Sequence, residues 1–266
     1  ILTLAMLRLD VARLRSYIRR PGAIALIVLV NLIAAPVLMW FLLIPLDMPD
    51  ELRQGMVLLA AAPVVSSAIA FATILELDSA LTVAVMVTSY TIVPVTLPIL
   101  SIWLLDLDLG VSFFGLFGRL FATISIPAVI AFVIRRWICR PNTMVKNTRT
   151  LDGINVLFVM VFGFGIVDGL PAFTAARPDY VLLVLAASFA ANICLQILGA
   201  SLFIWMGRRE ALTVGLITGN TNLGLIMVTM ADNAPPELVV CFVLGQVPMY
   251  FLPVVALPIY RRLMRS

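Results

Sequence analysis

Histidine is absent from this chain of 266 residues, and charged residues make up only 12% of it. The chain therefore lacks the commonest metal ligand and the side chain that most easily relays protons near neutral pH. Cys139, Cys194 and Cys241 are scattered, with no CxxC pair and no spacing typical of a metal site. Because neither a metal cluster nor a nucleophile–base pair is indicated, we expect a protein that is not an enzyme and that carries no cofactor.

Apolar residues dominate the sequence instead, at 62% of the chain and a mean hydropathy of +1.12. They form runs of about 20 residues, the length of helix that crosses roughly 30 Å of hydrocarbon. The sequence therefore predicts an all-α integral membrane protein with one transmembrane domain over residues 1–266. The predicted spans are 22–45, 54–76, 79–105, 111–134, 151–170, 179–206, 211–231 and 237–260, with a partial span at 1–7.

The loop charges predict the orientation of the spans. Arginine and lysine fill alternate loops, whereas the intervening loops are acidic, as at Asp47, Asp50 and Glu51. Since basic loops stay in the cytoplasm, residues 135–150 and the C-terminus are predicted to be cytoplasmic. We expect an integral protein of a bacterial inner membrane, in contact with lipid. The net charge of +4 reflects this asymmetry and not a nucleic-acid surface.

Two apolar spans carry polar residues at their centres, GMVLLAAAPVVSSAIAFATILE (55–76) and ALTVGLITGNTNLGLIMVTMA (211–231). Irregular backbone at membrane depth is tolerated only against protein or a wet cavity. A pair of interrupted spans in the two halves of a chain is typical of the binding site of a secondary transporter. The pattern therefore predicts two broken helices that cross near the bilayer centre.

An internal repeat supports this interpretation. The segment beginning at Arg19 resembles the one beginning at Ala176, an offset of 157 residues. TIVPVTLPIL (91–100) and YFLPVVALPIY (250–260) repeat about 159 residues apart, and the interrupted spans roughly 156 apart. Because an odd number of helices separates the copies, the second copy is inverted. We therefore expect a ten-span parent fold of five plus five inverted spans, with the first span missing from this sequence.

The polar residues of the interrupted spans are the candidate solute site. Asn220, Thr221 and Asn222 follow one another, so at least one must face a polar surface. Ser66 and Ser67 follow Pro63 and are candidates for the opposite wall. Two structural roles remain as alternatives to a solute site. Such residues also form hydrogen bonds between packed helices, and serine and threonine hydroxyls form hydrogen bonds to the backbone of their own helix.

The chain resembles the bile acid:sodium symporter family in LTLAMLRLDVARLRSYIRRPGAI, APVVSSAIAFATILELDSALTVAV and GNTNLGL. The resemblance implies ten helices in inverted repeats, divided into a panel domain and a core domain with two crossed, broken helices. On that pattern the panel-like helices are 1–8, 111–134 and 151–170. The core-like helices lie within 22–105 and 179–260.

The resemblance also identifies positions where the family binds sodium. Asn31, ahead of Pro36, matches a family glutamine, and Thr82 and Asn222 keep polar groups. The family's shared glutamate, however, falls on Ile217. Other family ligand positions fall on Met86 and Ile69, which also lack side-chain oxygens. Asn31, Thr82 and Thr218 are therefore possible ion or solute contacts, while sodium coupling is doubtful.

Two functions follow from the sequence. The first is a secondary active transporter that moves a small organic solute, expected to be anionic, by alternating access. The alternative is a non-transporting membrane scaffold or accessory subunit that binds a protein partner and has lost the ion chemistry. A polar cavity between Asn31, Ser66 and Asn222 would favour transport, whereas apolar filling would favour the scaffold.

Overall fold

The computed structural model describes residues 2–7, 21–105, 112–138, 169–230 and 234–265, together with residues 157, 161 and 165. Within these ranges every regular element is helical. The helices are α1 (Leu2–Leu7), α2 (Pro21–Leu43), α3 (Asp50–Ala61), α4 (Ser67–Ile74), α5 (Ser79–Ile99), α6 (Phe113–Val133), α7 (Leu170–Ala176), α8 (Pro178–Leu202), α9 (Arg208–Gly219), α10 (Leu223–Met230), α11 (Pro236–Leu244), α12 (Gln246–Val255) and α13 (Leu257–Arg265).

Five helices of the described part are long and apolar enough to cross a membrane. They are Pro21–Leu43, Ser79–Ile102, Phe113–Trp137, Pro178–Leu202 and Pro236–Val255. These helices match the predicted spans 22–45, 79–105, 111–134, 179–206 and 237–260 within a few residues. The all-helical membrane class is thereby confirmed. The predicted span 151–170 lies almost wholly outside the described residues.

Local chemistry explains several of the helix boundaries. The Asp78 carboxylate accepts hydrogen bonds from the backbone N–H of Ala80 and Leu81 and so caps α5. Asp50 and Glu51 start α3 four residues before the predicted bound, because acidic groups stabilise the first turn of a helix. The predicted last span is in turn divided into α11, α12 and α13, and α13 extends to Arg265.

Both interrupted spans are broken helices, as predicted. Ala62 ends α3 in an extended conformation (φ −70°, ψ 148°), since a residue before a proline is disfavoured in the helical region. Asn220 leaves the helical region at the end of α9. Val64 and Thr221 form an isolated antiparallel β-bridge between the two breaks. Residues 63–65 and 220–222 are therefore in direct contact, as the prediction of two crossing broken helices requires.

Small residues bring α8 and α9 into close contact. A Cβ atom at Gly215 would lie 2.6 Å from the Gln196 carbonyl oxygen, and one at Gly199 would overlap Thr218 Oγ1. Glycine at such positions lets the helix backbones approach closely. In a membrane this matters because lipid is as apolar as the helix surface, so helices associate through van der Waals packing and not through the hydrophobic effect. The second broken helix is thus fixed against α8.

Large apolar side chains cover the outer faces of several helices. Phe41 on α2, Phe121 and Phe132 on α6, and Leu182 and Ile197 on α8 are each more than half exposed. A soluble protein rarely exposes such continuous apolar surface. These faces fit contact with lipid, whereas the polar centres of the broken helices are turned inward.

Candidate functional site

The backbone groups that the breaks release bond to each other. The Val65 N–H donates to the Asn220 carbonyl at 3.1 Å, and the Asn222 N–H donates to the Pro63 carbonyl at 2.6 Å. Backbone polar groups without partners would cost several kcal/mol each in hydrocarbon. The paired breaks therefore form a stable irregular centre around which side chains of both halves are arranged.

Asn220 lies at this centre and is fully buried. Neither its amide nitrogen nor its amide oxygen has a hydrogen-bond partner among the described residues. The hydroxyl oxygen of Ser67, the first residue of α4 after the other break, is also buried and has no partner in the part of the chain that the structure describes. Buried polar atoms are nearly always satisfied, so such groups indicate a place for water, an ion or a solute.

Thr221, by contrast, is occupied by the fold. Its hydroxyl donates to the carbonyl of Leu59 at 2.7 Å. Leu59 is in the last turn of α3, where carbonyls lose their intrahelical partner. Thr221 therefore joins the two broken helices, which is the structural alternative that the sequence had left open for these residues.

Asn222 connects the break to α5. Its Oδ1 atom accepts from the Leu225 N–H at 3.1 Å and so caps α10, while its Nδ2 atom donates to Tyr90 Oη at 2.5 Å. Sequence reasoning missed Tyr90. The available signal was a phenol group in the middle of an apolar span, since buried tyrosine hydroxyls usually have a partner.

Asn31 is in a π-helical turn of α2, Val30–Ala34, just before Pro36. Such turns are often found at functional sites. Asn31 Oδ1 lies 2.9 Å from Thr218 Oγ1, which joins these two predicted site residues. Thr218 Oγ1 also lies 2.7 Å from the Val214 carbonyl, and a hydroxyl has only one proton for these two acceptors.

The amide nitrogen of Asn31 is buried and has no partner among the described residues. The two amide atoms are interchangeable by a half-turn of the group. With the nitrogen toward Thr218, both contacts of Thr218 Oγ1 are satisfied, and the carbonyl oxygen of Asn31 becomes the atom without a partner. In either orientation Asn31 presents one unused polar atom close to α9.

Two other predicted residues take no direct part in this arrangement. The hydroxyl of Thr82 donates to the carbonyl of Asp78 in its own helix at 3.0 Å. Ser66 is half-buried and precedes α4 without a side-chain cap bond. Ser67 is half-buried as well, but its hydroxyl oxygen is buried.

Asn192 and Gln196 of α8 form a structural chain. Asn192 Nδ2 donates to the Gly219 carbonyl at 2.6 Å, and Gln196 Nε2 donates to Asn192 Oδ1 at 2.6 Å. Tyr260 donates to Gln196 Oε1 at 2.9 Å. These two amides therefore join α8 to α9 and α13.

Ser188 is a further residue that sequence reasoning missed. Adding the repeat offset of 157 to Asn31 gives position 188, so the two residues correspond in the two halves of the chain. The Ser188 hydroxyl is fully buried and lacks a partner among the described residues. The offset itself was the signal by which this residue could have been found.

A cavity of about 520 Å³ lies between α1, α5 and α6. It is lined by Leu2, Met6, Met86, Val87, Tyr90, Thr91, Ala128, Ala131, Phe132, Arg135 and Arg136. Its described lining includes none of Asn31, Ser66 or Asn222, so it is not the cavity that the sequence suggested as a test. Tyr90 lines the cavity and also bonds Asn222, and thus connects the cavity to the breaks.

The walls of this cavity are chemically divided. Met6, Met86, Val87 and Phe132 give it apolar sides, whereas Arg135 and Arg136 bring two cationic groups at the end of α6. The Thr91 hydroxyl is turned to its own helix, where it donates to the Val87 carbonyl at 3.0 Å. The lining therefore combines apolar side chains, two arginines near the end of α6, and Tyr90.

Ile217 occupies the position at which the resemblance places a ligand carboxylate. It is fully buried and packs in the main apolar core of the protein. Across the described residues there is no cluster of three or more acidic, cysteine or histidine side chains that would hold a metal ion. Oxygen ligands near the breaks come from neutral groups, mainly those of Asn31, Thr218 and Asn220.

Arg119 reaches from α6 toward the second broken helix. Its guanidinium donates to the Thr229 carbonyl at 3.4 Å, near the end of α10. Carbonyls in the last turn of a helix carry partial negative charge, which a cation stabilises. This arginine therefore joins α6 to the end of α10.

Residues 1–171 match the Sodium Bile acid symporter family. The chain belongs to this family. Its members are solute transporters of the membrane, and the sodium in the family's name describes their general coupling. The matched segment contains the first broken helix and the cavity, while the second broken helix lies beyond it. Comparison with curated proteins gives no match.

Proposed function

We propose that this family member is a secondary active transporter that moves a small organic anion by alternating access. The observation that carries the proposal is the connection through Tyr90 between a 520 Å³ cavity and the paired helix breaks. In transporters of this type, solute sites lie where discontinuous helices meet near the bilayer midplane. The cavity is then the approach to that site from one side of the membrane.

Charge supports the choice of an anion. Arg135 and Arg136 line the cavity, and α4 and α10 both begin at the breaks. A helix N-terminus carries partial positive charge, which favours a negative group nearby. The apolar walls require that the rest of the solute be largely hydrocarbon, so an amphipathic organic anion fits better than a small hydrophilic one.

The position of the cavity supports alternating access. It separates α1 and α6, which are panel-like by the resemblance, from the core-like helix α5. Arg135 and Arg136 belong to the end of α6 that loop charge predicts to be cytoplasmic. A cavity open on this side corresponds to an inward-facing state, and movement of the panel against the core would expose the breaks to the other side. The C-terminus is then cytoplasmic, in a bacterial inner membrane.

Sodium has a smaller role in this proposal than in the family generally. A dehydrated sodium ion needs several oxygens and benefits from negative charge, and neutral oxygens alone make a weak site. Asn31, Thr218 and Asn220 provide such oxygens, but Ile217 provides none. We infer weak or absent sodium coupling, with no other cofactor required.

A second candidate function is a non-transporting scaffold that binds a protein partner. The packing of Ile217 in the apolar core favours it, because this position lacks the carboxylate expected for ion coupling. The two functions differ in one measurable respect. A transporter moves solute across a sealed membrane, whereas a scaffold does not.

Uptake into proteoliposomes tests the proposal. The purified chain is reconstituted and offered a panel of radiolabelled organic anions, cholate among them, with and without a sodium or proton gradient. We expect saturable uptake of at least one amphipathic anion. The double variant Arg135→Gln/Arg136→Gln should reduce this uptake at least tenfold by raising KM, because it removes the cationic groups of the cavity.

The matched control is Arg261→Gln/Arg262→Gln. These exposed arginines of α13 are on the same predicted side of the membrane and do not line the cavity. The control removes the same charge and should leave uptake near that of the unmodified protein. If no anion enters the vesicles while the protein is folded and correctly inserted, transport is excluded and the scaffold is the better description.

A further inference from the structure

The orientation of the Asn222 amide is fixed by the fold. Its oxygen accepts from the Leu225 N–H at 3.1 Å. A half-turn of the amide would place its NH₂ group against that backbone N–H, which is repulsive. The nitrogen of Asn222 therefore faces Tyr90, so the tyrosine oxygen accepts this bond.

The direction of the hydrogen bond from Asn222 determines whether the Tyr90 hydroxyl can donate its own proton to another group. A phenol has one proton to donate and can also accept. Because Tyr90 accepts from Asn222 at 2.5 Å, its own proton is directed elsewhere. Among the described residues no acceptor receives that proton, although the exposed fraction of Tyr90 is only 3%.

Tyr90 also lines the 520 Å³ cavity. A buried donor without an acceptor carries an unfavourable desolvation free energy. Water or a bound solute in the adjoining cavity would remove this penalty. A solute atom does so only if it accepts a hydrogen bond, which makes the phenol selective for oxygen-bearing solutes.

We propose that Tyr90 determines specificity by donating its hydroxyl proton to an acceptor oxygen on the apolar body of the transported anion. This inference rests on the proposed transport function and goes beyond it by requiring a second polar group on the solute. The oxygen that Tyr90 recognises is distinct from the anionic group, which the arginines recognise.

The depth of Tyr90 separates the two recognition points. Tyr90 is 11 residues beyond Ser79, the first residue of α5, or roughly 16 Å along the helix at 1.5 Å per residue. The arginines follow α6 at the end that loop charge predicts to be on the same side of the membrane as Ser79. A solute that reaches both groups must therefore be extended, with its acceptor oxygen remote from its negative charge.

The hydrogen bond between Asn222 and Tyr90 links the proposed solute contact to the second helix break. Asn222 holds the first turn of α10 through its oxygen and Tyr90 through its nitrogen. When Tyr90 donates to a solute, its oxygen becomes a better acceptor for Asn222, because hydrogen bonds in a chain polarise one another. Solute recognition in the cavity thereby strengthens the contact between α5 and the second broken helix.

The experiment compares Tyr90→Phe with the unmodified chain in nanodiscs, using two steroid carboxylates as probes. Cholate bears ring hydroxyls, whereas 5β-cholanate has the same skeleton and carboxylate without them. Tyr90→Phe should weaken cholate binding about tenfold, the effect of one lost hydrogen bond of about 1.4 kcal/mol. Binding of 5β-cholanate should change less than twofold.

Tyr180→Phe is the matched control. It removes a tyrosine hydroxyl that bonds the Glu237 carbonyl at 3.4 Å, away from the cavity. It should leave the affinity ratio of the two probes unchanged. A purely structural role of Tyr90 would weaken both probes equally, since both need the same folded cavity.

The failures of the two proposals differ. Equal changes for cholate and 5β-cholanate in Tyr90→Phe would overturn the role of Tyr90 and leave transport intact. Absence of binding of every anion to the folded, unmodified chain would overturn the transport function and the Tyr90 proposal with it.

Discussion

Val64 and Thr221 face each other in an antiparallel β-bridge at the point where both broken helices are interrupted. The two positions differ by 157, the offset of the internal repeat. Adding 157 to 63 and 65 gives 220 and 222, so the Val65–Asn220 and Asn222–Pro63 hydrogen bonds exchange under this offset. Every antiparallel bridge has such an exchange of bonds, so the informative observation is that the bridge joins two positions separated by the repeat offset, as the prediction of inverted repeats requires.

We predict opposite stability effects at two buried asparagines. Asn220→Leu removes an amide that has no described partner, so it should keep or raise the unfolding temperature while abolishing transport. Asn192→Leu removes the donor to the Gly219 carbonyl and should cost about 1–3 kcal/mol of stability. Thermal unfolding in detergent and uptake by proteoliposomes measure the two effects. Equal destabilisation by both changes would show that Asn220 is structurally bonded.

Gly215→Ala should separate α8 from α9. Its Cβ would lie 2.6 Å from the backbone oxygen of Gln196, which cannot rotate away. Overpacking of this kind costs about 1–3 kcal/mol. Gly118→Ala is the control, because no atom lies within 4 Å of the Cβ position there. Thermal unfolding should show a loss only for Gly215→Ala, and a similar unfolding temperature for both variants would contradict the close contact.

Solute uptake should depend weakly on sodium or not at all. Ile217 is fully buried and has no side-chain oxygen, and the candidate contacts Asn31, Thr218 and Asn220 are neutral. Uptake is measured against sodium concentration, with choline keeping the ionic strength constant. A steep, saturable sodium requirement in the unmodified protein would refute this prediction.

Ile217→Glu tests the same position from the other direction. The variant adds a carboxyl group to the last turn of α9, which also holds Thr218 and precedes Asn220, and we expect it to increase the sodium dependence of uptake. A buried charge at membrane depth costs about 3 kcal/mol on insertion scales, so we also expect lower thermal stability without sodium. Ile217→Gln, which adds polarity without charge, is the control and should not gain sodium dependence.

Position 146 is predicted to be cytoplasmic. In a background without the three native cysteines, Lys146→Cys should resist a membrane-impermeant thiol reagent added to sealed cells. Asp47→Cys, in an acidic loop, should react under the same conditions. Labelling of position 146 from outside would reverse the predicted orientation and place the cavity on the opposite side.

Local sequence properties determined the membrane class, most of the span positions and the two breaks. Apolar length fixes which segments enter hydrocarbon. Pro63 disfavours the helical conformation at Ala62, and polar residues mark the second break at Asn220. These effects act over a few residues, so they are visible in sequence. The repeat offset also identified which segments meet, because it relates equivalent parts of the chain.

Only the tertiary structure decided which polar side chains are used by the fold and which remain available. Asn222 and Tyr90 are 132 positions apart, and nothing local to either residue indicates their bond. Thr221 and Asn220 are adjacent and chemically similar in sequence, yet one bonds Leu59 and the other has no described partner. Hydrogen bonding depends on distance and direction between elements, so the same residue type becomes a structural bond in one place and an open site in the next.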